Sequence, residues 1–227
     1  MAATARKVNW FAIWTSIAVV AVLIAVAVLV VTLNNSANDP GEAPQAANVD
    51  FETGAILVGD GENSFETYID FMCPICNQFE QIYGESIQGL VDDGTMTLGI
   101  HPIAILDHQS QGTEYSTRAA NAMYCVAVAD GTAAVPFMQA MYENQPAEGS
   151  TGLTDDEILV IASGVGVDGI DDCVTSGKYS QFVTDQTEKT PVQPGSSSIG
   201  TPTIVVNGEV ISNKTLPEPA DLASLFN

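Results

Sequence analysis

The sequence predicts an α/β domain in which a helical subdomain separates a βαβ half from a ββα half, behind one N-terminal transmembrane helix. Three observations predict this arrangement. One apolar run near the N-terminus is long enough to span a membrane. Two groups of short strand-like segments flank a helix-rich stretch, and an Asn-Gly dipeptide in the second group predicts a hairpin.

The apolar run extends from Phe11 to Leu33, 23 residues without a charged residue, a proline or a glycine. As a helix it would be about 34 Å long, against about 30 Å for the hydrocarbon core of a bilayer. A cleavable signal peptide has a shorter apolar region and a small-residue cleavage site, of which Ser36-Ala37-Asn38 is a poor version. The sequence favours an uncleaved anchor, with a cleaved signal as the alternative.

Charge sets the orientation of this predicted anchor. Arg6 and Lys7 precede the run, and the next lysine or arginine along the chain is Arg118. By the positive-inside rule, residues 1–10 are cytoplasmic, residues 11–33 span the cell membrane once, and everything beyond is extracytoplasmic.

The chain beyond the anchor begins with a linker and is strongly acidic. Residues 34–48 are polar, rich in Asn, Pro and Ala, and without periodicity, which is typical of a flexible tether to a domain at 49–227. All 28 acidic residues but only four of the six lysines and arginines lie beyond the anchor, a formal charge of −24. Such a surface repels phosphate backbones and argues against nucleic acid as a partner. General solubility, selection of cationic substrates and a salty habitat all fit this charge.

The first half of the predicted domain has a βαβ pattern. Strand candidates lie at Ala55–Val58, Phe65–Phe71 and Met96–Ile100. A helix from Pro74 to about Val91 separates the last two, because proline suits a first helical turn and Asp92-Asp93-Gly94 ends the helix. A strand–helix–strand unit of this kind builds a parallel strand pair.

Helical patterns fill the predicted insertion, residues about 108–190. Helices are predicted at Ser116–Ala129, Val135–Asn144, from the capping box at Thr154 onward, and at Ile170–Lys189.

The second half of the domain has a ββα pattern. Thr203–Val206 and Glu209–Ile211 are strand candidates on either side of Asn207-Gly208, and Pro219–Phe226 closes the chain as a short helix.

Two cysteines separated by two residues, Cys73 and Cys76, lie at a predicted strand-to-helix junction. A thiolate at a helix N-terminus faces unpaired N–H groups and the positive end of the helix dipole, which lower its pKa. Cys73, the outer residue, is then the exchanging sulfur, and Cys76, one turn inside, resolves a mixed disulfide. The spacing predicts a catalytic thiol–disulfide pair.

An inert disulfide and a metal site are the alternative interpretations of this pair. Structural disulfides rarely bridge two residues at a helix start. A zinc or copper site needs further soft ligands, whereas Cys125, Cys173, His101 and His108 are single residues remote in sequence. We therefore expect no metal and no other cofactor.

Three motifs in a fixed order carry a family resemblance. They are Asp70-Phe71-Met72-Cys73-Pro74-Ile75-Cys76, Gly200-Thr201-Pro202-Thr203 and Val206-Asn207-Gly208. Together they resemble the DsbA-like branch of the thioredoxin superfamily, and more closely its membrane-anchored, exported actinobacterial members. The resemblance covers about Val49 to Asn227 and implies a thioredoxin-like fold with the helical subdomain inserted between its halves.

The resemblance implies roles for two residues of the second motif. Pro202 would be a cis-proline that packs against the Cys73–Cys76 pair and acts with it in catalysis. Thr201 would bind substrate by offering its backbone to an extended strand. Without the resemblance, Pro202 is a turn proline.

The sequence departs from the family pattern at two places. Where family members often carry an acid six residues before the first cysteine, this chain has Thr67, so that Asp70 takes over the role or the role is missing. A solvated strand-end acid is the simpler interpretation of Asp70. Strongly oxidising DsbA proteins carry His where this chain has Ile75, so we expect a less acidic Cys73 and a less oxidising disulfide.

Cys125 and Cys173 lie on different predicted helices of the insertion. Two free thiols beside a disulfide oxidant would be unstable, so a structural disulfide is expected between them. A second redox relay is the alternative.

The expected function is disulfide exchange between the Cys73–Cys76 pair and exported protein substrates, in the oxidising direction. A quinone-linked membrane partner that reoxidises the pair is implied by the family. A reductase or isomerase is the first alternative, since sequence does not fix the direction of electron flow. A non-enzymatic membrane-tethered chaperone or metal-binding module is the second.

Overall fold

The computed structural model describes residues 10–37 and 42–226, and the chain divides into two compact units, Met1–Asp39 and Pro40–Asn227. In the first unit the predicted apolar helix is present as α1 (Trp10–Ala37). Its segment Ile13–Val31 has a mean hydropathy of 2.8 and is not buried against other residues. This segment is long and apolar enough to cross a membrane, a property that N-terminal signal sequences share. The predicted cytoplasmic residues 1–10 lie outside the described residues except for Trp10.

The second unit is built on a five-stranded mixed sheet with strand order β1-β3-β2-β4-β5. Its strands are β1 (Ile56–Val58), β2 (Asn63–Ile69), β3 (Met96–Pro102), β4 (Thr203–Val206) and β5 (Glu209–Ile211). β2 and β3 run parallel, as a helical crossover requires, and all other pairs are antiparallel. The predicted βαβ and ββα halves therefore share one sheet, joined where β4 pairs with β2.

Helices cover this sheet and fill the insertion between its halves. They are α2 (Pro74–Asp92), α3 (Tyr115–Ala129), α4 (Ala134–Glu143), α5 (Asp155–Gly164), α6 (Asp171–Thr175) and α7 (Ser180–Glu188). The helix α3 is the centre of the insertion, because twelve of its fifteen residues are buried. The predicted capping box is formed, with Thr154 and Glu157 bonding each other's backbone N–H. The predicted thioredoxin-like fold with a helical subdomain is confirmed.

Several element bounds differ from the prediction. β2 ends at Ile69 instead of Phe71, because its parallel pairing ends opposite Pro102, which has no N–H for the ladder. The predicted helix Ile170–Lys189 is two helices, α6 and α7, separated at Gly177, whose φ of +63° a right-handed helix does not allow. The closing segment Pro219–Phe226 is a 3₁₀ helix.

The packed domain begins earlier in the chain than the sequence indicates. Pro44 is buried, and Ala43 and Ala46 pack against the core, although all three belong to the predicted linker. The Lys178 ammonium lies 3.1 Å from the Glu42 carboxylate. Residues 42–48 thus pack on the domain, because short apolar side chains between polar ones suffice to cover an edge of the core.

A disulfide joins Cys125 on α3 to Cys173 on α6, 48 residues apart in the sequence. Cys125 is buried, and Cys173 packs against the core. The bond therefore ties α3 to α6 within the insertion.

Replacing both cysteines with alanine should lower the free energy of unfolding by about 4 kcal/mol, because the unfolded chain loses a covalent loop closure. Urea unfolding of wild type and Cys125→Ala/Cys173→Ala measures the difference. If the double variant unfolds at the same urea concentration as wild type, the disulfide has no structural role.

Candidate active site

The first turn of α2 places two thiols next to each other. Cys73 is the N-cap residue with extended backbone (φ −77°, ψ 115°), and Pro74 starts the helix. The Cys73 carbonyl accepts the N–H groups of Cys76 (3.1 Å) and Asn77 (3.3 Å). This geometry leaves the Cys73 side chain at the end of the helix where backbone N–H groups lack helical acceptors. Both cysteines are free thiols in this structure.

The pKa values of the two thiols are shifted in opposite directions. The pKa of Cys73 is lowered to about 6, mainly by a hydrogen bond from the Cys76 thiol, against the opposing effect of burial. Hydrogen bonds from the Thr201 side chain and from the backbone N–H groups of Cys76 and Ile75 also lower the pKa of Cys73. Cys76 is fully buried, and burial raises its pKa well above the ordinary value. One sulfur is therefore ionised at neutral pH while its neighbour keeps its proton.

A second loop, carried by the start of β4, contacts Cys73. The Cys73 Sγ atom lies 3.7 Å from the Thr201 carbonyl oxygen, and the peptide bond between Thr201 and Pro202 is cis. The Pro202 carbonyl accepts hydrogen bonds from the side-chain amides of Gln193 (2.8 Å) and Asn213 (2.7 Å). The structure thus brings the Thr201-Pro202 loop to the Cys73–Cys76 pair, from which the loop is remote in sequence. No sequence motif marked Gln193 or Asn213.

Asp70 is a fully buried carboxylate just before the pair. One of its oxygens accepts hydrogen bonds from the Met72 N–H (2.8 Å) and the Ser116 hydroxyl (2.7 Å), and the other accepts the Leu106 N–H (2.9 Å). Burial nevertheless dominates and raises the pKa of Asp70 to about 6. The interpretation of Asp70 as a solvated strand-end acid is wrong, because β2 ends one residue earlier and its connection to α2 is enclosed by the insertion.

The other positions of interest have simpler surroundings. Thr67 is buried on β2, and its hydroxyl has no hydrogen-bond partner among the described residues. Ile75 is 57% exposed beside the pair and brings no donor or charge to it. His101 is buried and bonds Glu66, while His108 bonds the Ile105 carbonyl. Within residues 10–37 and 42–226, no three His, Cys, Asp or Glu side chains come close enough together to hold a metal ion.

Most of the chain matches a known protein family. A family profile described as Thioredoxin matches residues 54–222, about three quarters of the chain. The chain belongs to the thioredoxin family. The match begins just before β1 and ends inside the last 3₁₀ helix, so it includes the paired cysteines, the insertion and the cis-proline loop.

Two solved members of the family from Mycobacterium tuberculosis resemble this thioredoxin-family chain in sequence and structure. Reduced DsbA is 32% identical, covers 70% of this chain and 84% of its own, and superposes with a TM-score of 0.61. Reduced DsbG, a disulfide bond oxidoreductase, is 29% identical, covers 84% and 89% of the two chains, and gives a TM-score of 0.63. The predicted membership in the DsbA-like branch is confirmed.

A curated relative has a different overall organisation. The serine/threonine-protein kinase PknE of Mycobacterium tuberculosis (strain H37Rv) is 32% identical over 163 residues. Those residues are 68% of this chain and 28% of the kinase, so the chain spans less than a third of that relative's length. Together with the paired thiols, the DsbA and DsbG likeness identifies this thioredoxin-family chain as a protein thiol–disulfide oxidoreductase.

In the reduced protein, iodoacetamide should alkylate Cys73 with a rate that rises with pH through a midpoint near 6, because the thiolate is the nucleophile. Cys76 should stay unmodified up to pH 9, because burial keeps it protonated and inaccessible. Peptide mass spectrometry at each pH measures both rates, and Cys73→Ser is the control. A midpoint near the ordinary thiol pKa of about 8.5 would contradict the acidity of Cys73.

Replacing Asp70 with asparagine should change how stability depends on pH. Because the pKa of Asp70 is raised in the folded protein, the folded state holds this proton more tightly than the unfolded chain. The free energy of unfolding then falls by about 3 kcal/mol through this group as the pH rises from about 4 to above 6. Asp70→Asn lacks that fall. Urea unfolding of both reduced proteins at pH 4 and pH 7 gives the difference, and parallel behaviour would refute it.

Proposed function

We propose that the protein is a membrane-anchored, extracytoplasmic oxidase that transfers the Cys73–Cys76 disulfide to exported proteins. The observation that carries the proposal is the acidic Cys73 thiol at the N-terminus of α2, beside a buried thiol that stays protonated. A stabilised thiolate makes the reduced pair the more favourable state, which means that the disulfide tends to take up electrons.

The exchange follows from the different acidities of the two sulfurs. A substrate thiolate attacks Cys73 Sγ of the oxidised pair, the Cys73–Cys76 bond breaks, and Cys76 leaves as a thiolate that takes up a proton. A second substrate thiolate then attacks its own sulfur in the mixed disulfide and displaces Cys73. The substrate loses two electrons, and the pair gains them. Cys73 departs readily because a sulfur of low pKa is a good leaving group.

Asp70 and the cis-proline loop have supporting roles in this proposal. Cys76 is a poor leaving group unless it is protonated, and a buried carboxyl with a pKa of about 6 holds a proton that it can give up near neutral pH. The backbone N–H of Asp70 is one of the groups that lower the pKa of Cys76. Thr201, whose carbonyl lies 3.7 Å from Cys73 Sγ, offers its backbone to the substrate segment next to the attacking thiol. Pro202 keeps that backbone at the sulfur.

The proposal also includes the location of the protein and the reoxidation of its Cys73–Cys76 pair. α1 supports a single membrane span, with residues 1–10 in the cytoplasm and the thioredoxin-family domain outside. A quinone-linked membrane protein would return the pair to the disulfide, and tethering would raise its effective concentration. Exported proteins with free thiols are the substrates.

A reductase or isomerase is the competing proposal, favoured by one observation. Ile75 gives Cys73 neither a charge nor a donor, so its thiolate lacks one source of stabilisation that strong oxidants have.

The deciding experiment is the refolding of a reduced, unfolded disulfide protein by the oxidised enzyme. We expect disulfides to form in the substrate with loss of the Cys73–Cys76 bond. Cys73→Ser should reduce this activity by at least about 10³-fold, since Cys76 then has no partner with which to form the transferable disulfide. Cys125→Ala/Cys173→Ala is the matched control and should keep the activity at a temperature where it is folded. Faster reduction of insulin than oxidation of the substrate would favour the reductase.

Replacing Ile75 with histidine should make the disulfide more oxidising by about 30 mV, because a donor beside Cys73 stabilises its thiolate. Equilibration with reduced and oxidised glutathione measures the potential of wild type, Ile75→His and the control Ile75→Leu. Equal potentials for all three would show that this position does not tune Cys73.

A further inference from the structure

One glutamine from the helical insertion reaches the backbone of the active-site turn. Gln145 follows α4 and is half-buried, and its N–H bonds the Tyr142 carbonyl at 3.2 Å. Its side-chain Nε2 atom donates to the Phe71 carbonyl (3.0 Å) and to the Cys73 carbonyl (2.9 Å). These two carbonyls lie on either side of the reactive residue in the chain. Gln145 therefore fixes the peptide unit before Met72 and the one after Cys73.

The orientation of the Gln145 amide is determined by its third partner. Its Oε1 atom accepts a hydrogen bond from Asn77 Nδ2 (3.0 Å), and the same Nδ2 donates to the Tyr142 carbonyl (2.9 Å). Because the carbonyls of Phe71 and Cys73 only accept hydrogen bonds, the amide nitrogen of Gln145 has to face them. With both amide groups satisfied, the network connects the end of α4, the turn before α2 and the first turn of α2.

We propose that Gln145 is a positioning residue for thiol–disulfide exchange, which holds the Cys73 backbone so that its sulfur stays over the first turn of α2. The inference deepens the proposed function and rests on it. Gln145 has no hydrogen bond to either sulfur, so it acts through the backbone of Cys73.

The Cys73 thiolate depends on hydrogen-bond donors at the start of α2. Its stabilisation by the backbone N–H groups of Ile75 and Cys76 depends on direction and distance, and both follow from the backbone angles of the N-cap residue. On one side the Cys73 N–H bonds the Asp70 carbonyl at 3.0 Å. On the other side the Cys73 carbonyl is held by Gln145 in addition to the helix. Without the glutamine, the carbonyl loses its only side-chain donor among the described residues, and the N-cap angles become less restricted.

The test compares Gln145→Met with wild type and with Gln139→Met, in the full chain. Methionine has nearly the length of glutamine but cannot donate. Gln139 is the matched control, because it is exposed on α4 and donates to Glu80 on α2 (3.1 Å), and has no hydrogen bond to the active-site turn. The measurement is the rate of iodoacetamide alkylation of Cys73 in the reduced protein from pH 4 to pH 9. Asp70, Cys76 and Tyr142, which interact electrostatically with Cys73, are unchanged in all three proteins.

Gln145→Met should be alkylated about 2- to 7-fold more slowly than wild type at pH 6, where wild-type Cys73 is about half ionised, because the loss of one net hydrogen bond lowers the acidity of Cys73 by a factor of about 2 to 12. At pH 9 the two rates should agree, since Cys73 is ionised in both, and this agreement separates an altered acidity from blocked access. Gln139→Met should follow the wild-type profile throughout. Superimposed profiles of Gln145→Met and wild type would overturn the proposal, as would an equal slowing at every pH.

A second variant keeps the proposal testable if Gln145→Met does not fold. Asn77→Ala leaves both donors of Gln145 in place but removes the group that orients them, so a smaller slowing in the same direction is expected at pH 6. A wild-type profile for Asn77→Ala in that case would overturn the role of the network. The proposed function is tested separately, because an oxidase with an acidic Cys73 would still refold substrate if Gln145 proved irrelevant.

Discussion

The chemistry of this protein depends on one interaction, that between the Cys73 sulfur and hydrogen-bond donors at the start of α2. A helix leaves its first N–H groups without helical acceptors, and Cys73, as N-cap residue, holds its sulfur where they point. The Cys76 thiol is a further donor, and its hydrogen bond lowers the pKa of Cys73 more than those of the backbone N–H groups do. Because the same turn buries Cys76, one structural element makes one sulfur a good leaving group and keeps the other protonated.

Burial opposes the ionisation of Cys73, and it also makes the hydrogen bonds to the sulfur more important. Taking Cys73 and Asp70 out of water raises the pKa of each, and only directed hydrogen bonds oppose that effect. For Cys73 the hydrogen bonds win, whereas for Asp70 burial wins despite three donors. The site therefore contains a thiol and a carboxyl that both titrate near pH 6, one below and the other above its ordinary pKa, which an exposed surface would not provide.

The helical insertion completes the site from the opposite side. It encloses Asp70 through Ser116 of α3 and contacts the turn around Cys73 through Gln145, while its own packing is fixed by the Cys125–Cys173 disulfide. Long-range contacts of this kind hold the start of α2 and the groups around it in place. A thioredoxin-like sheet supplies the positions of the thiols and of the cis-proline loop, and the insertion supplies their surroundings.

Local patterns were enough to locate the apolar helix, the strands, α2 and the reactive pair, because turn residues, apolar periodicity and a helix start act within a few residues of sequence. The motif resemblance added Thr201 and Pro202, which lie 128 and 129 residues after Cys73 and which no local rule connects to the pair. The tertiary structure alone decided the burial of Asp70, the break at Gly177 and the contacts of Gln145, Gln193 and Asn213. Burial and amide hydrogen bonds depend on which distant segments pack together, and a single sequence carries no local signal for that packing.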